Sequence, residues 1–499
     1  MPIRTIRKTS TTRKASTTRT GFVLALACTL LLAGCGGHGV EGRPGAAGAD
    51  DPYFPRLGNG GYDVRHYDLA LDYDPDSGRL EGRAEVTARA TQDLSAFNLD
   101  LLGLTVRSVT VDGERAAVNR TGHELTVRPA DDLKDGTTFV TKVDYEGEPR
   151  TVTDDDGSQE GWLATEGGAL ALGEPTGSMT WFPGNHHPSD KATYDIALTV
   201  PKGLTAVSNG ELKGERTRRG RTTFTWRSAE PMASYLATVA VGDFETKQYV
   251  IERPGGKRDS DGARQPSRLP VYTAVERSGA AASRRALGRL EEIVRWQEEL
   301  FGPYPFGSAG AVVGRAQDLG YALETQTRPV YPGPPETELV IHEMAHQWYG
   351  NSVTPKTWRD LWLNEGFATY AEWLWEEEHG GDSAQQTFDS LYSGDFTDDP
   401  DERQELWAFP PAQPPSGERL FETPVYQRGA MVLHKVRGIV GDKEFRALLR
   451  GWASSRSHAN ADTGDFTAYV EQQAGAGHRA ALRSVWKTWL YGDGRPANP

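Results

Sequence analysis

The spacing of apolar residues changes period once along this chain, and that change constrains the fold more than any other feature. Over residues 52–252 apolar and polar residues alternate in short runs. In YDLALDY (67–73), Tyr67, Leu69, Leu71 and Tyr73 alternate with Asp68, Ala70 and Asp72, the period of a strand with one buried face. LTVRSVTVDGE (104–114) ends in an Asp-Gly turn and AVSNGEL (206–212) centres on Asn-Gly, both hairpin signals. Short strands spaced by turns predict an antiparallel β domain of sandwich type over 52–252. RPGGKRDSDGARQPSR (253–268) is polar and rich in breakers, as expected of a loop or linker. Beyond it, Leu287, Leu290, Ile293, Val294 and Leu300 recur at helical spacing. Further helices are predicted at 338–350, 359–379, 424–440, 443–454, 463–473 and 479–490. The second domain, 253–499, is therefore mainly helical, and the class is multidomain α+β.

The N-terminus carries a different signal. Residues 1–20 hold six Lys or Arg and no acid, and FVLALACTLLLA (22–33) follows. An apolar run of this length behind a basic segment is a secretory signal, too short to span a bilayer. LLAGC then ends at Cys35 and resembles a bacterial lipoprotein cleavage box; an ordinary signal peptide cut nearby is the alternative. On the first reading residues 1–34 are removed and Cys35 is lipidated. The mature chain is then held on the outer face of the cytoplasmic membrane, with a released extracellular form as a variant. Residues 35–51, Gly- and Ala-rich, read as a flexible tether. The only cysteines are Cys28 and Cys35, so the mature chain has no internal disulfide. The formal net charge of −14 leaves no basic surface to release counterions from phosphates, which excludes nucleic acid as a partner.

The chemistry is concentrated in ELVIHEMAHQ (338–347). On a helix His342 and His346, four residues apart, project from one face and can share a metal ion, while Glu343 is turned aside by about 100°. A buried helix that happens to fit the pattern is the alternative. A third ligand decides between them. Glu365 follows His346 after 18 residues, among Trp358, Trp362, Leu363, Phe367 and Trp373. An unpaired carboxylate in that setting costs several kcal/mol. Two histidines, one glutamate and an open position form a catalytic zinc set. His186 and His187 lack a third partner and are read as a solvated loop pair.

VIHEMAHQWYGNSVTPKTWRDLWLNEGFATY (340–370) resembles the zinc centre of the gluzincin aminopeptidases, the family of aminopeptidase N and the leukotriene-epoxide hydrolase. YDVRHYDLALDY, WFPGNHHPSDKATYD (181–195), SYLATVAVGDF (234–244) and YQRGAMVLHKVR (426–437) resemble its landmarks in the same order. The resemblance covers nearly the whole mature chain. It implies an N-terminal β-saddle and a thermolysin-like catalytic domain. The chain stops about 70 residues after Tyr426, so the family's helical C-terminal domain is expected to be missing and the cleft more open. YQRGA resembles the family's Tyr-x-Lys-Gly-Ala segment, whose tyrosine stabilises the tetrahedral intermediate; Tyr426 takes that place, with Arg428 for lysine. GYALETQTRP (320–329) resembles the Gly-Ala-Met-Glu-Asn strand that binds the substrate amine. Only Ala322 and Glu324 are identical there, Tyr321, Leu323 and Thr325 being replacements; an exposed strand residue is the other reading of Glu324. Counting back from WFP, the family's Gln-x-Glu pair falls on Leu172 and Glu174, with only the glutamate kept; a plain turn residue before Pro175 is the alternative.

These readings predict a monomeric zinc aminopeptidase with one Zn²⁺ per chain, acting on peptides with a free N-terminus. His342, His346 and Glu365 hold the metal, Glu343 is the general base, Tyr426 stabilises the oxyanion, and Glu324 with Glu174 and Ala322 lines the amine end. An endopeptidase on the same core, or a surface binding protein with an inactive site, are the rival readings.

Overall fold

A computed structural model describes residues 42–153, 157–253, 267–315 and 319–498; the signal segment and Cys35 lie outside them. The N-terminal region builds three sheets. The largest has eight strands, in the order Glu211–Arg218, Arg221–Ala233, Lys191–Pro201, Tyr62–Asp74, Arg79–Ala90, Thr138–Gly147, Thr105–Val111, Glu114–Arg115. All neighbours are antiparallel except Lys191–Pro201 against Tyr62–Asp74. A bulge at Val64–His66 shifts the alternation by one residue. Tyr62 and Val64 are therefore buried before it, and Tyr67, Leu69, Leu71 and Tyr73 after it.

The Asp112-Gly113 turn forms the expected hairpin, pairing Val111 with Glu114. Asn209-Gly210 does not. Thr205–Ser208 pairs with Val239–Gly242 in a five-stranded sheet, whereas Glu211–Arg218 pairs in the eight-stranded one. The turn passes the chain from one sheet to another, because the Asn209 side chain is buried in long-range hydrogen bonds. It accepts from Thr238 N (2.8 Å) and donates to Leu236 O (2.9 Å) and Gln326 O (2.8 Å).

A third, four-stranded sheet contains Leu94–Asp100 and the short N-terminal strand Arg43–Pro44. The second half of the predicted tether is thus packed. Asp51, 1% exposed, accepts from the backbone N of Tyr53, Phe54 and Trp358 at 2.8–3.0 Å. His187 Nε2 lies 3.3 Å from the same carboxylate. His186 donates from Nε2 to Phe182 O at 3.0 Å. Both histidines are buried, so they are not a solvated pair: the segment carrying them is covered by the N-terminal residues.

Phe244–Glu252 pairs with Arg268–Glu276, which continues into Ala309–Val313 and Val330–Tyr331 as one mixed sheet. The polar stretch after 252 thus connects two strands of one sheet. Helices follow, including Leu290–Phe301, Thr337–Ala345, Trp362–His379, Gly429–Val440 and Asp442–Ser455. Leu290, Ile293, Val294 and Leu300 are all buried, as their spacing requires. No helix among the described residues is long and apolar enough to cross a membrane.

Candidate metal centre and cleft

Two helices supply the metal-binding side chains. Thr337–Ala345 carries His342 and ends at His346, its C-cap. Trp362–His379 carries Glu365 in its first turn. Glu365 Oε2 is 3.2 Å from His342 Nε2 and 3.4 Å from His346 Nε2. All three residues are nine-tenths or more buried. His346 Nδ1 donates to Tyr349 O at 3.1 Å, which leaves Nε2 free for a metal. His342 Nδ1 is held by Glu372 Oε1, a carboxylate that orients the ring and raises its basicity. Glu372 went unnoticed in the sequence. Its signal was there: seven residues after Glu365, it lies two turns along on the same helix face.

The donor set fits Zn²⁺. Glu174, Glu324, Glu343 and Glu365 converge around two imidazoles, and one oxygen each of Glu174, Glu324 and Glu343 is buried without a hydrogen-bond partner. Burial pushes the Glu343 carboxyl up to about 8, against the pull of His342 and His346. Burial also works to raise Glu365, but the two histidines outweigh it and hold Glu365 at about 2. Four buried carboxyls that can ionise together only at a cost call for a cation among them.

Tyr426 lies in a single π-helical turn, Pro424–Arg428, that precedes Gly429–Val440; the predicted helix is continuous but changes winding there. Its ring stacks 6.2 Å from His342. The helices cross at a glycine pair: a Cβ on Gly366 would lie 2.9 Å from Gly429 C and 3.0 Å from Gly429 Cα. That close approach sets Tyr426 beside Glu365. Burial, then the negative charge of Glu365, raises the phenol well above its ordinary value, so it stays protonated and able to donate. Arg428, in the lysine's place, faces away from the cleft and donates to Trp489 O (3.0 Å) and Phe409 O (3.2 Å).

Glu324 sits in a loop, with only Leu323 bridged to Val330; the expected strand is reduced to that one pair. The loop is fixed from both sides. Gln347 and Asn351, just after His346, donate to Glu324 O at 3.1 and 2.7 Å, and Thr327 N donates to Gln347 Oε1 at 2.8 Å. Asn209 grips Gln326 O, and the buried Arg328 guanidinium donates to Tyr272 O (3.2 Å) and Gly210 O (2.9 Å). The sequence marks Asn209 only as a hairpin turn and gives no role to Arg328, Gln347 or Asn351. Glu324 is buried, not exposed. Burial raises its carboxyl, with His346 opposing. Glu174 is 8% exposed, so it too is more than a turn residue; burial, then Glu324, raises it. One oxygen each of Glu174, Glu324 and Glu365 lie within 4.8 Å of one another. Tyr321 reaches away to Gln159 O (2.7 Å), while half-buried Ala322 lines the space.

The resulting cavity holds about 670 Å³ and is lined by these residues with Leu339 and Phe421. It adjoins a second of about 680 Å³ that shares His342, Glu372, Phe421 and Tyr426 and is edged by Glu338, Glu376, Asp382, Glu402 and Glu405.

The peptidase family M1 domain matches residues 323–489 and the peptidase M1 N-terminal domain residues 64–236. The fold is similar to that of an M1 zinc metallopeptidase from Deinococcus radiodurans: 30% identity, TM-score 0.79, covering 91% of this chain and 98% of that one. A mutant of that enzyme bound to a Tyr-Ser-Ala substrate matches with 29% identity and TM-score 0.79, covering 91% and 99%. The probable aminopeptidase 2 of Sulfurisphaera tokodaii is 24% identical over 87% of this chain and 54% of its own length. The chain spans about half the length or less of the curated relatives it matches.

Proposed function

This chain belongs to peptidase family M1, and on that premise we propose that it is a zinc aminopeptidase removing N-terminal residues from peptides. The observation that carries the exopeptidase reading is the cluster of Glu174 and Glu324 against the metal ligand Glu365. A buried acidic end of this size accepts one ammonium group and stops a longer chain from threading past.

When bound on His342, His346 and Glu365, zinc supplies Lewis-acid activation of water and of the scissile carbonyl. The side chains do the rest. Glu343 takes a proton from the attacking water and passes it to the leaving amine. Tyr426 donates its phenolic hydrogen to the oxygen on which charge develops. Glu324 and Glu174 hold the α-ammonium and so fix the distance from the N-terminus to the cut; Ala322 leaves room for the first side chain. We also propose that Cys35 carries a lipid that holds the monomeric enzyme on the outer face of the cytoplasmic membrane. The support is LLAGC behind a short apolar run.

A panel of fluorogenic aminoacyl substrates tests the activity. Release from free-amine substrates, abolished by a chelator and restored by zinc, is expected. Efficient cutting of N-blocked peptides would instead favour an endopeptidase, and a zinc-loaded protein without turnover would favour a binding protein. Cys35→Ser should abolish palmitate labelling; equal labelling of mutant and wild type would refute the anchor.

A further inference from the structure

A second cluster of metal-binding side chains lies in the β domain, on residues that do not line the cleft. Asp100 ends the strand Leu94–Asp100 and faces Glu124, the first residue of Glu124–Arg128, across an antiparallel ladder. His123 precedes Glu124 in the turn. One nitrogen of His123 and one oxygen from each carboxylate lie within 4.8 Å of one another.

This cluster is built, not a solvated acidic edge. Asp100 is fully buried. Its Oδ2 accepts from the backbone N of Gly58 (3.0 Å) and His186 (3.1 Å), while Oδ1 has no hydrogen-bond partner. Both oxygens of Glu124 are buried and equally without one; His123 Nε2 is 3.7 Å from Oε1. The buried Asn59 stands beside Asp100, where its amide acts on the carboxylate as a donor, though neither its nitrogen nor its oxygen has a partner at hydrogen-bond distance. Among the described residues neither carboxylate forms an ion pair with a lysine or arginine, although Arg56 is near enough to act on Glu124. Two carboxylates withdrawn from water without such a partner need either a shared proton or a cation.

We propose that Asp100, His123 and Glu124 form a second divalent-cation site, selective for a first-row ion such as Zn²⁺ or Mn²⁺. The imidazole among the donors favours these ions over Ca²⁺ and Mg²⁺. Binding at His123 Nε2 would release the proton that it donates to Arg56 O at 3.0 Å, which leaves that carbonyl as an adjacent main-chain ligand for the ion. The ion ties the 56–59 loop to two strand ends. Through the Asp100 contact to His186 N, it also braces the stretch that carries His186 and His187.

The test is metal counting on the full chain. The protein is stripped with a chelator, reloaded with Zn²⁺ alone or Mn²⁺ alone, freed of excess ion and analysed for metal. Wild type should hold two ions per chain. His123→Gln and Glu124→Gln, at partly exposed side chains, should hold one and keep aminopeptidase turnover, which shows that the variants are folded and that the remaining ion is catalytic. His346→Ala should keep one ion and the His123→Gln, His346→Ala double variant none. The thermal midpoint should rise with the second ion in wild type and not in His123→Gln. Wild type holding one ion after reloading would overturn the proposal, leaving a shared proton between Asp100 and Glu124. A second ion retained equally in both single variants would overturn it as well.

Discussion

The two ends of the cleft are built in different ways. The metal end is local: two histidines one turn apart and a glutamate at the start of the next helix, with Glu372 two turns further on. The ammonium end is assembled from distance. Glu174 precedes the Trp181–His187 stretch, Glu324 lies in a loop, and that loop is held by Asn209 in the β domain and by Gln347 and Asn351 behind the histidines. The metal end should therefore fail all at once when a ligand is lost, and the ammonium end by degrees.

The largest effect is expected at the metal end. His346→Ala should abolish binding of the catalytic ion and turnover together, whereas Glu343→Gln should retain that ion and lose about 10²–10⁴ in kcat. Metal analysis beside turnover separates the two; near-normal turnover in Glu343→Gln would remove Glu343 as the base. Next comes the helix crossing. Gly366→Val puts a side chain against the Gly429 backbone, which cannot rotate away, and overpacking of this kind costs about 1–3 kcal/mol. Tyr426 should be displaced and kcat should fall by about 10²-fold, the order of losing one oxyanion donor, with zinc retained. If kcat is unchanged, the crossing does not position Tyr426.

At the ammonium end Asn209→Ala should raise KM for free-amine substrates several-fold with zinc content unchanged. It should also cost about 2–3 kcal/mol in stability from buried groups left unpaired. A loss in kcat alone would show that Asn209 supports the fold without steadying the amine loop.

The smallest effect is expected at Asp51. Burial works to raise its carboxyl, but hydrogen bonds from His187 and from Trp358, Phe54 and Tyr53 bring it below its ordinary 3.8. A depressed acid contributes stability that is present above the unfolded value and lost as pH falls through the folded one. Asp51→Asn should cost about 1–2 kcal/mol at neutral pH and flatten the loss of stability below about pH 4. An unchanged acid limb in denaturant titrations would contradict this role.

The same contrast explains what could be read from the sequence. His342, His346 and Glu365 were legible because their geometry follows from spacing on two helices. Glu372 was legible on the same grounds and was passed over. Tyr426, Glu324 and Glu174 could be reached only through family resemblance, since a tyrosine or a glutamate in a loop carries no periodic signal. Asn209 read as a hairpin turn because Asn-Gly favours one locally; its real task, joining two sheets and the amine loop, depends on partners about 30 and 120 residues away in sequence. His186 and His187 read as solvated because nothing local shows that Asp51, Gly58 and Asn59 fold back against Asn185 and His187. The alternating strands and helical stripes gave the α+β class correctly, but the chain's assignment of Phe244–Glu252 to a sheet with 268–276 is a matter of pairing, which pattern alone does not fix.

The central claim is that buried carboxylates beside the zinc ligands read a free amine. It is tested most directly by kcat/KM for matched free and N-acetylated peptides, in wild type and Glu324→Ala at equal zinc content. Loss of a charge-assisted contact worth about 1.5–3 kcal/mol predicts a fall of about 10- to 150-fold on the free peptide. The acetylated peptide, poorly cut by wild type, should be cut no worse by the mutant. An equal loss on both peptides would contradict the account and make Glu324 a part of the cleft wall.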